Sequence, residues 1–363
     1  MSELSVSTLQ NHLATLIDPY TGIDFISAKQ IKNIVIDANQ IHLQIVLGYP
    51  AQKQTEYLQK LIIDHLTIIA ENYTFDIQIQ THIVAHAVQQ NLKPHPQIKN
   101  IIAIASGKGG VGKSTTTVNL ALALIEQGAS VGILDADIYG PSIPMMLGLS
   151  GLPQTLNGKT MLPKIAYQLQ TISMGYLVNS DQAMIWRGPM VTNALQQLLR
   201  DTEWQTLDYL FIDLPPGTGD IQLTLAQQIP VSGAIIVTTP QDIALLDAQR
   251  GLAMFQKVNV PVLGIIENMS THICSHCGFE EAIFGSGGGQ LMADKNQVEL
   301  LGALPLALSI RQTSDQGQPI MIAQPASRSA EIYRQIGLRL AAKLALTAKD
   351  FSAKFGKIVV ENR

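Results

Sequence analysis

Residues 101–114 read Ile-Ile-Ala-Ile-Ala-Ser-Gly-Lys-Gly-Gly-Val-Gly-Lys-Ser, and they leave few architectures open. The apolar run 101–105 reads as a strand buried on both faces, and a helix is expected to open at Ser114. Between them lies G-x-x-x-x-G-K-S, the phosphate-binding loop of a strand–loop–helix unit. It comprises Gly107, Lys108, Gly109, Gly110, Val111, Gly112, Lys113 and Ser114. Glycines suit this loop because backbone N–H groups must close round phosphate oxygens with no Cβ in the way. The helix N-terminus adds its partial positive charge. In this pattern Lys113 reaches the β- and γ-phosphates of a nucleotide, and the Ser114 hydroxyl ligates Mg²⁺. Lys108 is not demanded by the pattern. It is either a solvated loop lysine or a second cation for the phosphates, including those of a neighbouring subunit.

From residue 100 onward the chain alternates strand and helix. Strands are predicted at 101–105, 130–135, 208–213, 233–239, 261–267 and near 299–304, with helices at 114–127, 188–200, 243–257 and 329–346. This is a doubly wound, mostly parallel α/β domain whose ligand sits at the carboxyl ends of the strands. Before it, helical spacing at 3–16, strands around 31–36 and 41–47, a helix over 53–70 and a strand at 75–79 make a small α+β domain. The expected organisation is therefore a first domain at 1–87, a polar linker with two prolines at 88–98, the α/β domain at 99–346 and a tail at 347–363. The histidines His12, His42, His65, His82, His86 and His95 lack ligand spacing and are read as structural.

With 46% hydrophobic and 14% charged residues, the chain carries ample core. A net charge of −4 argues against a nucleic-acid binder. No secretory signal is visible at residues 1–16 and no stretch reaches a spanning length, so a cytoplasmic protein is expected.

Asp135 and Asp137 follow the second core strand, where one acid can support a Mg²⁺ and the other can orient an attacking water. The apolar strand 208–213 ends in Asp213, placed to hold Mg²⁺. The next residues, Pro215-Pro216-Gly217-Thr218-Gly219-Asp220, combine stiff and pliable positions, as suits a loop that senses a γ-phosphate. The two cysteines, Cys274 and Cys277, form C-x-x-C, so no disulfide framework is expected. Two thiolates can bind one edge of an iron–sulfur cluster, or half a zinc site completed by His272 or His276, or act as a redox pair. A [4Fe–4S] centre needs four thiolates, which two copies of this chain supply across a two-fold axis.

The string from Gly107 to Ser114 resembles the deviant loop of ATPases related to MinD, ParA and the nitrogenase iron protein. That resemblance implies that Lys108 reaches across a dimer to the partner's nucleotide, that Asp137 orients water and that Asp135 supports it. The residues 215–220, 237–242 (Val-Thr-Thr-Pro-Gln-Asp), 267–270 (Glu-Asn-Met-Ser), the C-x-x-C and 284–289 (Phe-Gly-Ser-Gly-Gly-Gly) together resemble the Mrp (ApbC-type) iron–sulfur cluster carrier ATPases. This implies a homodimer that binds a labile [4Fe–4S] cluster at Cys274 and Cys277, passes it to apoproteins and hydrolyses ATP slowly. It also implies adenine contacts from Asn268 and Pro305. Residues 287–289 receive no role. The first domain resembles the MIP18-type module of iron–sulfur assembly proteins, through its element order and the Ile17-Asp18-Pro19 turn. Its loop Gly48-Tyr49-Pro50-Ala51 carries no cysteine, which speaks against a thiolate role. The alternative is a MinD- or ParA-like positioning ATPase that acts on membrane or DNA. In that reading Phe351, Phe355, Ile358 and Val359, helically spaced among lysines, would touch a membrane.

Overall fold

The computed structural model describes residues 4–90, 92–156, 158–177, 188–274 and 276–350. The tail positions Phe351, Phe355, Ile358 and Val359 lie outside the described residues.

The N-terminal part runs α1 (Val6–Leu13), β1 (Ile31–Asp37), β2 (Gln40–Leu47), α2 (Thr55–Thr67) and β3 (Thr74–Thr81), in the order expected. Ile41, Leu43, Ile45 and Leu47 alternate inward along β2, which pairs antiparallel with β1 and parallel with β3. The turn at Asp18 holds the unit together. Its buried carboxylate accepts bonds from Tyr20 N, Gln30 Nε2 and Tyr49 Oη at 2.9, 2.8 and 2.8 Å. His12 and His65 stack at 4.1 Å and join α1 to α2, each Nε2 meeting the other's backbone carbonyl.

The second part begins with β4 (Ile98–Ala105), α3 (Lys113–Glu126), β5 (Val131–Asp135) and a one-turn α4 (Ile143–Met146). A small hairpin of β6 (Thr155–Leu156) and β7 (Thr160–Met161) precedes β8 (Lys164–Ala166) and β9 (Leu169–Ser173). Then come α5 (Gly188–Asp201), β10 (Leu207–Asp213), α6 (Asp220–Gln228), β11 (Gly233–Thr238), α7 (Asp242–Lys257) and β12 (Val262–Glu267). The chain continues through β13 (His272–Ile273), β14 (Glu280–Glu281), α8 (Gly288–Asn296), β15 (Leu300–Ala303), α9 (Leu308–Asp315), α10 (Ile320–Ala323) and α11 (Arg328–Ala345).

Eight strands form one sheet in the order β15-β12-β11-β4-β10-β5-β9-β8, all parallel except the edge strand β8. The expected doubly wound α/β fold is present. β4 starts at Ile98, earlier than the apolar run suggested, because Ile98 and Asn100 are buried in register with Leu207 and Tyr209. The sheet is covered on both faces, as a parallel sheet requires. On one face Ile102, Ile104, Phe211 and Ile235 pack with α3 and α11; on the other Ile101, Ala103, Ile212 and Ile236 pack with α5, α7 and α8.

The N-terminal unit joins the α3–α11 face, and one hydrophobic core runs from Leu9 to Leu344. Gly48 sits so close to α11 that a Cβ there would lie 3.0 Å from Ala345 Cβ. Gln52 N and Lys53 N donate to Gln127 O and Oε1 at the end of α3. The segment expected as a linker is tied down at Gln89, whose side chain bonds Ala226 O, Ile229 O and Val231 N. Residues 85–87 pair with 348–350 through Ala87 N to Ala348 O and Asp350 N to Ala85 O. No helix among the described residues is long and apolar enough to cross a membrane.

Candidate functional site

The loop 107–114 joins the carboxyl end of β4 to α3 and borders a cleft of about 180 Å³, with Asp137, Ser142, Met146 and Pro216 on its other sides. Gly110 and Gly112 have φ of +81° and +82°, the left-handed region where a Cβ is strained. Gly107 answers to a different constraint. A Cβ there would lie 2.2 Å from the backbone carbon of Asp247, so the close approach of α7 demands glycine. Lys108 is exposed and makes no ion pair among the described residues.

Beneath the cleft, Asp213 ends β10 with no solvent exposure. Its Oδ2 meets Lys113 Nζ at 2.7 Å and accepts from Ser114 Oγ at 2.5 Å. Its Oδ1 accepts from Thr117 Oγ1 at 2.7 Å. The donors converge because Thr117 lies one turn after both Lys113 and Ser114 at the start of α3, at i+4 and i+3 spacing. Thr117 was not anticipated from sequence, although its spacing from Ser114 could have pointed to it. A hydroxyl and a carboxylate are hard oxygen donors, so Ser114 and Asp213 fit a Mg²⁺.

Asp135 lies level with Asp213 in the β5–β10 pairing and is fully buried. Its oxygens accept from Asp137 N, Ile143 N and Ser173 Oγ. Ser173 was also missed, since it faces Asp135 only through the β5–β9 register. Burial first, then the charge of Asp213, pushes the Asp135 carboxyl well above the ordinary range, against Ser173 and Lys113. Asp137 borders the cleft, and burial raises its carboxyl too, with Lys113 opposing.

These shifts carry a sign. A carboxyl with a raised folded pKa binds more protons native than unfolded, so its contribution to stability falls as pH rises. The contribution of these two carboxyls in the nucleotide-free chain is therefore expected to fall from about pH 4 upward, while His86 and His95, whose rings burial shifts down, act in the opposite sense. Urea midpoints of wild type and Asp135→Asn at about pH 5 and about pH 8 check this, the variant being expected to gain on wild type as pH rises. An Asp135→Asn midpoint that changes over that interval just as the wild-type midpoint does would contradict it.

The 215–220 loop closes one flank of the cleft. Gly217 N donates to Ser106 O at 3.0 Å, Pro216 lies over Gly109, and Gln222 Nε2 bonds Pro215 O. Asn268 follows β12 and braces the phosphate loop from outside the cleft lining, its Nδ2 donating to Val111 O at 2.8 Å. Pro305 is buried just beyond β15, between Leu304 N bonded to Glu267 O and Leu306 N bonded to Thr271 O.

Cys274 and Cys277 stand on the turn of the β13–β14 hairpin. Cys274 N donates to Phe279 O and Gly278 N to Cys274 O, both at 2.9 Å. The Cys274 thiol is shifted down, chiefly by backbone N–H groups of Cys277 and His276 directed at its sulfur. Both cysteines are free; Cys277 is exposed and Cys274 partly so. The His272 ring bonds Leu306 O, and no group of three metal-binding side chains occurs among the described residues. The turn thus presents two thiols, and neither His272 nor His276 is grouped with them as a third ligand among the described residues. A thioredoxin-type redox pair opens a helix, whereas this pair sits on a strand turn.

Residues 287–289, given no role from sequence, have a packing one. Gly289 N donates to buried Glu267 Oε2 at 2.6 Å, and a Cβ on Gly288 would lie 2.5 Å from Leu245 Cδ1. These glycines let α8 sit down on β12 and α7.

Comparison with known proteins agrees with this architecture. Residues 7–73 match the family described as iron-sulfur cluster assembly protein. The "Iron-sulfur cluster carrier protein" of Escherichia coli K12 is 49% identical over 333 residues, 92% of this chain and 90% of its own length. The "Iron-sulfur cluster transfer protein NUBPL" of Mus musculus is 48% identical over 269 residues, 74% of this chain and 84% of its own. Among solved structures, a nucleotide-binding protein from Archaeoglobus fulgidus in complex with ADP has a TM-score of 0.54 at 36% identity, covering 61% of this chain and 88% of that one. The MinD cell division ATPase of Pyrococcus furiosus has a TM-score of 0.50 at 22% identity, over 66% of this chain and 98% of that one, a likeness of fold. With residues 97–341 matched by its description, the chain belongs to the NUBPL iron-transfer P-loop NTPase family.

Proposed function

We propose that this chain is an ATP-binding iron–sulfur cluster carrier. Two copies hold a [4Fe–4S] cluster between their Cys274 and Cys277 thiolates, pass it to apoproteins, and hydrolyse ATP slowly in the cytoplasm. The observation that carries this reading is the two-thiol hairpin that follows shortly after Asn268, whose amide is bonded to the phosphate loop. The names of the curated relatives support it. A likeness of fold alone is what supports a positioning ATPase.

In this reading the N–H groups of 107–114 hold the phosphates of ATP, with Lys113 moving from Asp213 onto the β- and γ-phosphates. Ser114 and Asp213 hold the Mg²⁺, with Asp135 behind them. Asp137, at the cleft edge, orients the water that attacks the γ-phosphorus. Lys108, exposed and without an ion pair among the described residues, reaches the partner subunit's nucleotide. Asn268 and Pro305 lie toward the adenine. The cluster is cargo, held by partly exposed thiols that an apoprotein's cysteines can attack. No nucleic acid or membrane enters the reaction.

Iron and acid-labile sulfide analysis of the full chain, reconstituted without oxygen, tests the proposal. About two irons and two sulfides per chain are expected, on a species of dimer size by gel filtration. A monomer, or a chain that takes up neither element, would sink it.

A further inference from the structure

Nucleotide and cluster must influence each other for a carrier to use ATP. The structure places one tight contact between the phosphate cradle and the thiol hairpin. Asn268 is 7% exposed, and its amide donates to Val111 O at 2.8 Å, inside the loop. Gly112 presses on the same side chain: a Cβ there would lie 2.1 Å from Asn268 Nδ2 and 3.9 Å from Met269 Cε. There is no slack at this contact, so a shift of Val111 or Gly112 must move Asn268 or break the bond.

The backbone beyond Asn268 is equally constrained. Asn268 N bonds Thr238 O at 2.7 Å. Ser270 bonds Leu304 O twice, through N at 2.9 Å and Oγ at 3.0 Å. Leu306 N bonds Thr271 O at 2.7 Å, and His272 forms a bridge with Leu306. Met269, between the two anchored residues, has a φ of +58°, a conformation that a non-glycine residue holds only when its surroundings force it. The hairpin carrying Cys274 starts directly after this stretch. By contrast, Gly217 and Pro215 of the 215–220 loop bond Ser106 and Gln222.

We propose that Asn268 is a positioning residue that couples nucleotide to cluster: it reads the backbone at Val111–Gly112 and passes its movement through residues 269–273 to the Cys274–Cys277 turn. This rests on the carrier reading and names its regulation. Phosphates draw the loop N–H groups toward themselves, shifting the Val111 carbonyl that Asn268 grips. The turn tilts, and the sulfurs change their exposure. Coupling free energy is reciprocal, so a bound cluster changes nucleotide affinity by the same factor.

Alkylation of the cluster-free full chain by iodoacetamide, followed at Cys274 by mass spectrometry, reads this coupling without any cluster. In the wild type a saturating non-hydrolysable ATP analogue with Mg²⁺ is expected to change the rate about fivefold or more, the low end of ordinary allosteric coupling. In Asn268→Ala, at an analogue concentration shown by equilibrium dialysis to saturate, the ratio is expected to fall to within about twofold of one. Met269→Gly keeps the Asn268 amide but frees the backbone beside it, and its ratio is expected to fall likewise; it decides the matter should Asn268→Ala not fold. A wild-type ratio near one, or a folded variant that keeps the wild-type ratio, overturns the coupling. Absence of iron and sulfide uptake would instead overturn the carrier reading, and this ratio would still be measurable.

Discussion

Lys113→Ala is expected to remove nucleotide binding and hydrolysis together, whereas Asp137→Asn is expected to leave nucleotide bound and slow its hydrolysis. Lys113 is 6% exposed and rests on Asp213 at 2.7 Å, so its ammonium is held in low dielectric next to where phosphates must lie. Truncating one partner of a buried, hydrogen-bonded charge pair costs about 2–5 kcal/mol. A rise in Kd of about 30-fold or more follows. Asp137 is placed at the cleft edge rather than under the phosphate loop, its Oδ1 accepting from Gly140 N at 3.3 Å. Losing a group that orients or accepts from the attacking water lowers kcat by about 10²-fold or more, with Kd changed by no more than about threefold. Equilibrium dialysis with labelled ATP and phosphate release separate the two outcomes. Hydrolysis at the wild-type rate by Lys113→Ala would refute the assignment, and so would a lost affinity in Asp137→Asn. Lys113→Ala also removes the cation that opposes the raised pKa of Asp135. Its nucleotide-free stability should therefore fall more steeply with pH than that of wild type.

The parts of the fold that could be read from sequence are those whose signal is local. β10, β11 and β12 are near-continuous apolar runs, and each was expected within a residue or two of where it lies. β9 escaped notice because it is wholly buried yet carries Gln170, Thr171 and Ser173. Those side chains are satisfied by Gln205 O, Tyr176 Oη and Asp135, partners that only the tertiary fold brings near. α6, α8 and α9 are between two and three turns long, α6 and α8 with weak apolar periodicity and α9 with only Leu308 and Ile310 as large apolar residues, and they too went unread.

The same division holds in the site. The phosphate loop, Asp137 and Asp213 form a local pattern with a known spacing, and they do converge on one cleft. The demand on Gly107 comes from α7, more than a hundred residues on, and nothing near Gly107 records it. The resemblance sets Asn268 toward adenine; its amide donates to the Val111 carbonyl, a contact that depends on how far β12 reaches past the loop. The C-x-x-C spacing allowed two thiols to share a cluster or a zinc ion, or to act as a redox pair. The hairpin adds a difference between the two thiols, since the N–H groups of Cys277 and His276 point at Cys274 and shift it down.

Cys274→Ala and Cys277→Ala, each alone, are expected to cut iron and sulfide content to below about a tenth of wild type. A [4Fe–4S] cluster takes four thiolates, and a two-fold axis doubles every substitution, so one changed residue per chain removes two of the four ligands. Neither thiol belongs to the hydrophobic core, and Cys277 is exposed. Substitutions at such places shift stability by about 0.5 kcal/mol or less, so the apoprotein of each variant should unfold with wild type and still bind ATP. That separates a lost ligand from a lost fold. Mixed dimers sharpen the test. A wild-type chain paired with a Cys274→Ala, Cys277→Ala chain offers two thiolates in all, and cluster content measured on dimers isolated through two different tags should be as low as in the variant homodimer. A cluster confined to one chain's own pair would instead persist at about half the wild-type content in those mixed dimers, and the shared site would have to be given up.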